Sequence, residues 1–487
     1  MSNDLHNSVL LSTFSSGNKK YRVIFHKGAI VWGNVKPPLE QQTLPLENVI
    51  SVQHNYVKNS HPSEEQIVDP NHFTIHYAEQ DDENKWKYHS LILRHSDPLQ
   101  VSSWVKTLQN HLQYFTRRPK KLLLFVNPFG GKKNALKIYE KFGKPLFHIA
   151  GVDVTVNVSQ RKNQIRDFVL HHNLDMFDSV ACVGGDGTVS ELFNGLVLRE
   201  CRVLGIDPDD IEQELPKPKI PIGIIPGGST DTIVYCLHGT IDPTTAVLNI
   251  IFGESLGLDL VSVYDENNLL KLYASVLSYG YLGDVAYHSD KYRWMGPNRY
   301  NYSGFRKLMR NKGYEGEVAF FTEVDDSHDS DQSKCYEKCE KCLSRRDSNC
   351  DKTEKQWRTL KGKFFMISGA NITCSCNRSP KGIAPYSHLG DGNVHLVLVR
   401  HTSIINNLKL LLRLSSNNQA VDDLPFVETY SAREFCFRAI NVPSRWNCDG
   451  EVQHQTNIRA KVRCQLLTIF SRGTPKPIEI TRKCCGC

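Results

Sequence analysis

At 487 residues the chain is longer than one hydrophobic core ordinarily organises, and about two to three domains are expected. An apolar fraction of 40%, a charged fraction of 23% and a mean hydropathy of −0.39 belong to a globular protein. The net charge of +7 permits attraction to anionic lipid or nucleotide but is too small to argue for nucleic-acid binding. No apolar run approaches the ~20 residues that span a bilayer. Lys121 to Val126 and Ile404 to Leu414 are too short or interrupted. Met1-Ser2-Asn3-Asp4 lacks the basic segment and apolar stretch of a signal peptide, so a cytoplasmic protein with peripheral membrane contact is expected. In that setting, 15 cysteines read as thiols or metal ligands rather than a disulfide framework.

The first block, residues 1–115, carries strand-like pieces at Tyr21 to Phe25, Ala29 to Trp32, Phe73 to Tyr77 and Tyr88 to Leu93, divided by polar turns such as Asn59-Ser60-His61-Pro62. It closes on Leu99, Val101, Trp104, Val105, Leu108 and Leu112, whose spacing predicts one buried helix face. Short strands followed by one tryptophan-bearing helix resemble a pleckstrin-homology domain, which implies targeting to anionic phosphoinositide membranes. Thr116-Arg117-Arg118-Pro119-Lys120-Lys121 then reads as a basic linker.

The second block, residues 121–257, alternates strands and helices: strand Leu122 to Val126, helix Ala135 to Phe142, strand Val152 to Val158 and helix Gln164 to His171. Strand Ser179 to Val183, helix Ser190 to Leu198 and strand Ile222 to Ile225 follow. That alternation predicts an α/β lobe with a mostly parallel sheet, in which ligands bind at the carboxyl ends of strands. From 258 to 475 strand-like runs dominate: Leu269 to Tyr279, Glu317 to Phe321, Lys363 to Ser368, Val394 to Arg400, Phe435 to Arg438 and Ile458 to Ile469. They predict an antiparallel β-sandwich lobe, interrupted by a polar, cysteine-containing insertion over 325–355 and followed by a tail over 476–487.

Three strand ends carry glycine. Asn127-Pro128-Phe129-Gly130-Gly131-Lys132 lets the backbone turn tightly and point amides at an anion, with Lys132 and Lys133 adding positive charge. Gly184-Gly185-Asp186-Gly187-Thr188 follows the buried run Val180 to Val183, and a carboxylate held there can take a proton from a hydroxyl or hold magnesium. Glu191 follows within reach of nucleotide or metal. Ile225-Pro226-Gly227-Gly228-Ser229-Thr230-Asp231 repeats the design with two hydroxyls. Any one turn is a weak signal, and the P-loop spacing is absent.

Together these segments resemble the diacylglycerol kinase catalytic domain shared with sphingosine kinases. Gly280-Tyr281-Leu282-Gly283-Asp284, Lys291-Tyr292-Arg293-Trp294, Asn298-Arg299-Tyr300, Trp446-Asn447-Cys448-Asp449-Gly450-Glu451 and Cys335-x3-Cys339-x2-Cys342 resemble the ceramide kinases in particular. The resemblance covers nearly the whole chain. It implies transfer of the γ-phosphate of ATP, with Mg2+, to the primary hydroxyl of ceramide, with Asp186 as general base. It implies an ATP site of Asn127, Pro128, Phe129, Ser159, Gln160, Arg161, Lys162, Asn163, Glu191 and Gly228, reached by Arg293 and Arg299 and closed by Asp449, Gly450 and Glu451. Gly184, Gly185, Asp186, Gly187 and Asp284 would face the lipid substrate. Sphingosine kinases carry an aspartate where this chain has Ala286, a departure that fits a neutral amide head group better than a cationic amine. A sphingosine, diacylglycerol or NAD kinase, and a non-catalytic lipid-binding protein, remain as alternatives. The resemblance also implies a Golgi or plasma-membrane location and a response to Ca2+ through calmodulin. Ile404 to Leu414, with Lys409 and Arg413, is the candidate segment for calmodulin, but its apolar anchors stop at Leu414 before polar Ser415-Ser416-Asn417-Asn418, which favours a helix packed on the sandwich. Cys335, Cys339 and Cys342 are candidate Zn2+ ligands, with Cys350, Cys374 or Cys376 as a fourth. Cys484, Cys485 and Cys487 are candidate lipid acceptors.

Overall fold

Strand alternation and one helical stripe build the N-terminal part. The computed structural model describes residues 9–472 except 38–39, 57–67, 82–83, 132, 297, 324–338, 341, 344–354, 377–378, 416–420 and 442; of Tyr56, Arg293, Glu323 and Lys355 it describes the backbone alone. Lys132, Cys335, Cys350, the turn at Asn59 to Pro62, most of the 325–355 insertion, the 476–487 tail with its cysteines, and the Arg293 side chain therefore lie outside the described residues.

Seven antiparallel strands, β1 (Leu10–Ser16), β2 (Lys19–His26), β3 (Ala29–Asn34), β4 (Gln41–Pro45), β5 (Val49–Tyr56), β6 (Val68–Gln80) and β7 (Trp86–Arg94), pair in the order β4-β3-β2-β1-β7-β6-β5. Helix α1 (Pro98–Leu112) begins where Asp97 accepts the Leu99 N–H at 2.9 Å and Pro98 fixes the first turn. Trp104 is buried, set edge-on to Phe14 at 5.3 Å, and its Nε1 donates to Ser12 Oγ at 3.0 Å. This is the pleckstrin-homology-like arrangement expected, with one correction to the helix stripe. Leu99 is 78% exposed, because two positions before Val101 it lies about 200° around the helix.

Next come β8 (Lys121–Val126), α2 (Ala135–Ile138), α3 (Lys144–Ala150), β9 (Asp153–Val158), α4 (Gln164–His171), β10 (Ser179–Gly184), α5 (Asp186–Leu204), β11 (Ile222–Pro226), α6 (Thr232–His238) and α7 (Pro243–Phe252). Two compact units result: Met1–Leu122 with Glu140–Val154 and Asp242–Glu254, and Leu123–Tyr139 with Thr155–Ile241 and Ser255–Cys487. Within the first, α3 and α7 pack beside the N-terminal sheet. The Trp86 N–H donates to Thr245 Oγ1 at 2.9 Å, Trp86 meets the Phe252 ring at 5.5 Å, and Gln53 Nε2 donates to the Ile149 carbonyl at 2.8 Å. Arg118 of the basic linker donates to the carbonyls of Val49 and Glu47 in the same unit.

The rest of the chain forms β12 (Ser255–Tyr264), β13 (Leu269–Tyr273), β14 (Val276–Gly280), α8 (Tyr281–Ser289), α9 (Asn298–Arg310), β15 (Tyr314–Glu323), β16 (Lys355–Ala370), β17 (Val394–Arg400), α10 (Ile404–Leu414), β18 (Val427–Ala432), β19 (Glu434–Ala439), β20 (Trp446–Cys448), β21 (Glu451–Gln453) and β22 (Ile458–Phe470). The expected α/β region and the antiparallel strands after it belong to one mixed sheet, joined where β22 runs parallel to β11 at Ile222 and Ile469. β10 and β11 pair in parallel, and their buried residues face α5 and α6 across a core of Cys182, Leu192, Leu196, Ile224 and Ile233. The run Leu269 to Tyr279, expected as one strand, breaks at Ala274 and Ser275, whose N–H groups are taken by the Asp449 carboxylate. No helix among the described residues is long and apolar enough to cross a membrane.

Candidate active site

The three glycine turns lie against one another. Gly227 N–H donates to the Gly184 carbonyl at 3.0 Å, and a Cβ on Gly228 would come within 2.5 Å of the Gly185 Cα. Gly131, at φ +53, would place a Cβ 2.7 Å from Gly228 backbone. Only glycine allows three backbones to approach this closely. Asn127 braces the arrangement: its N–H donates to the Val183 carbonyl at 3.1 Å, its Nδ2 to Thr188 Oγ1 at 2.9 Å, and its Oδ1 accepts the Phe129 N–H at 3.0 Å. The Phe129 ring stays 63% exposed. Asp231, absent from the expected site, is buried at φ +53 and accepts the Gly228 N–H at 2.9 Å.

Asp186 is the first residue of α5, and its carboxylate accepts the N–H groups of Thr232 and Ile233, each at 3.2 Å. Burial pushes this carboxyl above its ordinary range, the two amides oppose that, and the negative charge of Asp449 adds to it. Asp449 itself does not face outward. At φ +45, followed by Gly450 at φ +83, it accepts the N–H groups of Ala274 (2.8 Å), Ser275 (3.0 Å) and Val276 (3.0 Å) and the Ser275 hydroxyl. It clamps the β13–β14 junction beside Asp186.

Beside these loops opens a cavity of about 360 Å³, lined among others by Lys162, Asn163, Gly187, Glu191, Lys271 and Glu451. Ser159 is buried, with its N–H on the Val126 carbonyl at 2.9 Å, and is not among the residues lining the cavity. The Gln160 and Arg161 amides donate to Gln164 Oε1, and Arg161 pairs with Asp167 at 2.7 Å. Asn163, at φ +62, donates its N–H to Glu191 Oε1 at 2.9 Å. Burial raises the Glu191 carboxyl, against the amides of Asn163 and Ile165. Glu451 moves the other way: burial works to raise it, but Lys271 at 2.8 Å and Lys162 at 2.9 Å prevail and hold it at about 2. Lys271 was missed in the sequence, where a lone lysine inside the apolar run Leu269 to Tyr273 was the available signal.

Asp284 belongs to a second cavity of about 480 Å³, whose lining includes Tyr281, Tyr287, Lys307, Arg310, Phe365 and Arg445. Ser444 Oγ donates to it at 2.6 Å, Tyr314 OH at 2.8 Å and Lys307 Nζ at 3.2 Å. Burial acts to raise this carboxyl, and those donors bring it below its usual value. Burial, with Arg310 and Lys312 nearby, lowers Lys307 against the pull of Asp284. None of Lys307, Tyr314 and Ser444 was signalled by a motif. Arg299 pairs with Asp290 at 3.6 Å and donates to Tyr300 OH at 2.7 Å, so its guanidinium is engaged by its own segment. Cys339 and Cys342 come together with His388. Cys374 instead donates to the carbonyls of Ser275 and Ile372, outside that group.

Comparison with known proteins agrees along the chain. A ceramide kinase PH domain matches residues 10–108, a diacylglycerol kinase catalytic domain 121–263 and a ceramide kinase C-terminal domain 275–445. The human ceramide kinase is 33% identical, over 91% of this chain and 91% of its own length. The mouse ceramide kinase is likewise 33% identical, over 91% and 92%. A solved structure of a putative diacylglycerol kinase from Bacillus anthracis shares the fold over 73% of this chain and 96% of its own, with a TM-score of 0.51 at 16% identity. Matched from its N-terminal sheet to the C-terminal region that carries Asp284, the chain belongs to the ceramide kinase family.

Proposed function

We propose that this protein phosphorylates the primary hydroxyl of ceramide from ATP, giving ceramide 1-phosphate, with Asp186 as the general base. The observation that carries the assignment of the base is the placement of Asp186. Its carboxylate sits where three glycine turns meet, oriented by the Thr232 and Ile233 amides and made more basic by burial. Phosphoryl transfer asks mainly for positioning and charge neutralisation. Lys162 and Lys271 supply positive charge in the cavity beside Gly187, in the first turn of α5. Phe129 offers an exposed ring for the base, and Asn163 and Glu191 the polar wall. Arg293 and Arg299 are assigned to the phosphates from the sequence motif alone.

The donor set fits magnesium. Asp186 and Glu191 are carboxylates whose ionised forms are disfavoured by burial and by the neighbouring Asp449 and Glu451, a charge excess that a divalent cation relieves. When bound, the ion neutralises charge on the phosphates.

The cavity at Asp284 is the candidate seat of the acceptor head group. Its fixed carboxylate and tyrosine-rich wall can hydrogen-bond an amide and hydroxyl while covering apolar surface. The N-terminal pleckstrin-homology-like part is assigned to anionic phosphoinositide membranes at the Golgi or plasma membrane. Helix α10 is assigned to Ca2+–calmodulin. Leu410 and Asn407 are buried, while Ile405, Leu408 and Leu412 are 78%, 45% and 63% exposed, so packing leaves an apolar face uncovered.

The test is transfer of labelled phosphate from ATP to ceramide, sphingosine and diacylglycerol in mixed micelles with Mg2+. Ceramide is expected to be the preferred acceptor in kcat/KM. A preference for either other lipid overturns the acceptor, and equal transfer by Asp186→Asn overturns the base.

A further inference from the structure

Two cysteines and one histidine outside the candidate active site meet at a point. Cys339 and Cys342 sit on a short turn closed by the Leu343 N–H on the Cys339 carbonyl at 3.0 Å. His388 comes from a distant turn before β17 and is 2% exposed. Its Nδ1 lies 3.3 Å from Cys339 Sγ and 3.9 Å from Cys342 Sγ, and all three atoms fall within 4.8 Å of one another. Tetrahedral zinc, with Zn–S of about 2.3 Å and Zn–N of about 2.05 Å, sets ligand S···N separations of roughly 3.6 Å and S···S of roughly 3.8 Å. The observed spacings bracket the S···N value.

The surroundings suit a fixed site. Gln465 Nε2, reaching from β22, donates to the Cys342 carbonyl at 2.6 Å and to the Gly390 carbonyl at 2.9 Å, tying the cysteine turn to the segment that carries His388. Both cysteines pack against the core cluster of the second unit, which excludes water from one side. The His388 Nε2 is buried with no hydrogen-bond partner among the described residues. The resolved polar contacts of this imidazole are therefore made by Nδ1 with sulfur. Nδ1 is thus the nitrogen turned to the two sulfurs, and a metal bond there is stronger than a weak thiol hydrogen bond.

We propose that Cys339, Cys342 and His388 coordinate a structural zinc ion through two thiolates and Nδ1, fastening the cysteine turn to the segment before β17. Binding releases one proton from each thiol, involves no electron transfer, and leaves one coordination position for a further donor. The site lies apart from the phosphate-binding turns. Cys236 of α6 meets Thr373 Oγ1 at 3.2 Å, and Ala384 N–H reaches the Thr373 carbonyl at 3.4 Å. Metal loss is thus felt in the segment that supports the helix holding Asp186.

Elemental analysis of the full chain, purified without metal-binding tags and dialysed against a weak chelator, should give about one zinc per chain. His388→Gln and Cys339→Ser should each lower that content at least tenfold, and Cys436→Ser, on β19, should retain it. Cobalt exchanged into the protein should show the visible absorption of a tetrahedral thiolate site, absent in Cys342→Ser. A strong chelator should lower the Tm of the wild type, and added zinc should restore it. If His388→Gln does not fold, the cobalt spectrum and chelator response of the wild type decide the question. Metal-free protein that folds with both thiols titratable or joined as a disulfide overturns the proposal. So does full zinc content in folded His388→Gln.

Discussion

The two cavities of the second unit use the same residue type to opposite ends. At the glycine turns, Asp186 and Glu191 are half-buried with few donors, and their carboxyls are pushed up by desolvation. In the other cavity, Asp284 is buried yet receives two hydroxyls and an ammonium, and is driven down. A carboxylate meant to accept a proton gains from the first environment, and one meant to remain a fixed charge gains from the second. Their surroundings, rather than the residue type, separate the proposed base from the proposed anchor.

Removing the proposed base is the harshest way to break the comparison. Asp186→Asn should lower kcat by about 10²–10⁴-fold while acceptor KM changes little. Asparagine keeps one oxygen for the α6 amides, so thermal unfolding should register a loss of only about 1 kcal/mol. The pH profile sharpens the same point. A base must be ionised, so activity is full above the raised Asp186 pKa and falls as pH drops through it. The acidic limb of kcat/KM should lie above the ordinary carboxylate range and should stay in place in Asp284→Asn. A limb that moves with Asp284 instead would reverse the two roles.

Gly228→Ala tests the turn itself. Its Cβ would meet the Gly185 Cα at 2.5 Å, a rigid backbone atom, so a loss of about 1–3 kcal/mol and of ATP binding is expected. Gly187→Ala has nothing within 4 Å and should leave stability almost unchanged, as a melting curve will show. Asp284→Ala strands Lys307 in a buried setting and should cost about 3 kcal/mol, raising the acceptor KM and leaving the ATP KM as it was.

The smallest effect is expected at Glu451→Gln. The Glu451 carboxyl is depressed from 4.5 to about 2, so its stabilising contribution is present above pH 4.5 and is lost as pH falls toward 2. At 39% side-chain exposure the pair is screened, and ~1 kcal/mol or less is expected. Acid unfolding of the variant should accordingly shift little, with a modest rise in ATP KM. A large shift would mean that Lys271, 10% exposed, relies on this partner alone.

Much of this was legible in the residue order. Strand alternation and the tryptophan-bearing helix gave the N-terminal sheet, and the glycine runs after buried strands gave the three turns, because local backbone freedom is written in local sequence. Helix α10 came out at Ile404–Leu414 because its spacing is regular. Leu99 and the Leu269 to Tyr279 run misled for the same reason: apolar character does not say which face is covered, or that a distant Asp449 will end a strand.

The sequence by itself thus determined the family, the alternating architecture and the residues of the glycine turns, each encoded within a few neighbouring positions. Only the tertiary structure decided which carboxylates rise and which fall, that Asp449 clamps a strand junction, that Lys271 meets Glu451, and that His388 joins Cys339 and Cys342. Those outcomes depend on partners that can lie 180 or more residues away, and on burial that no local pattern encodes.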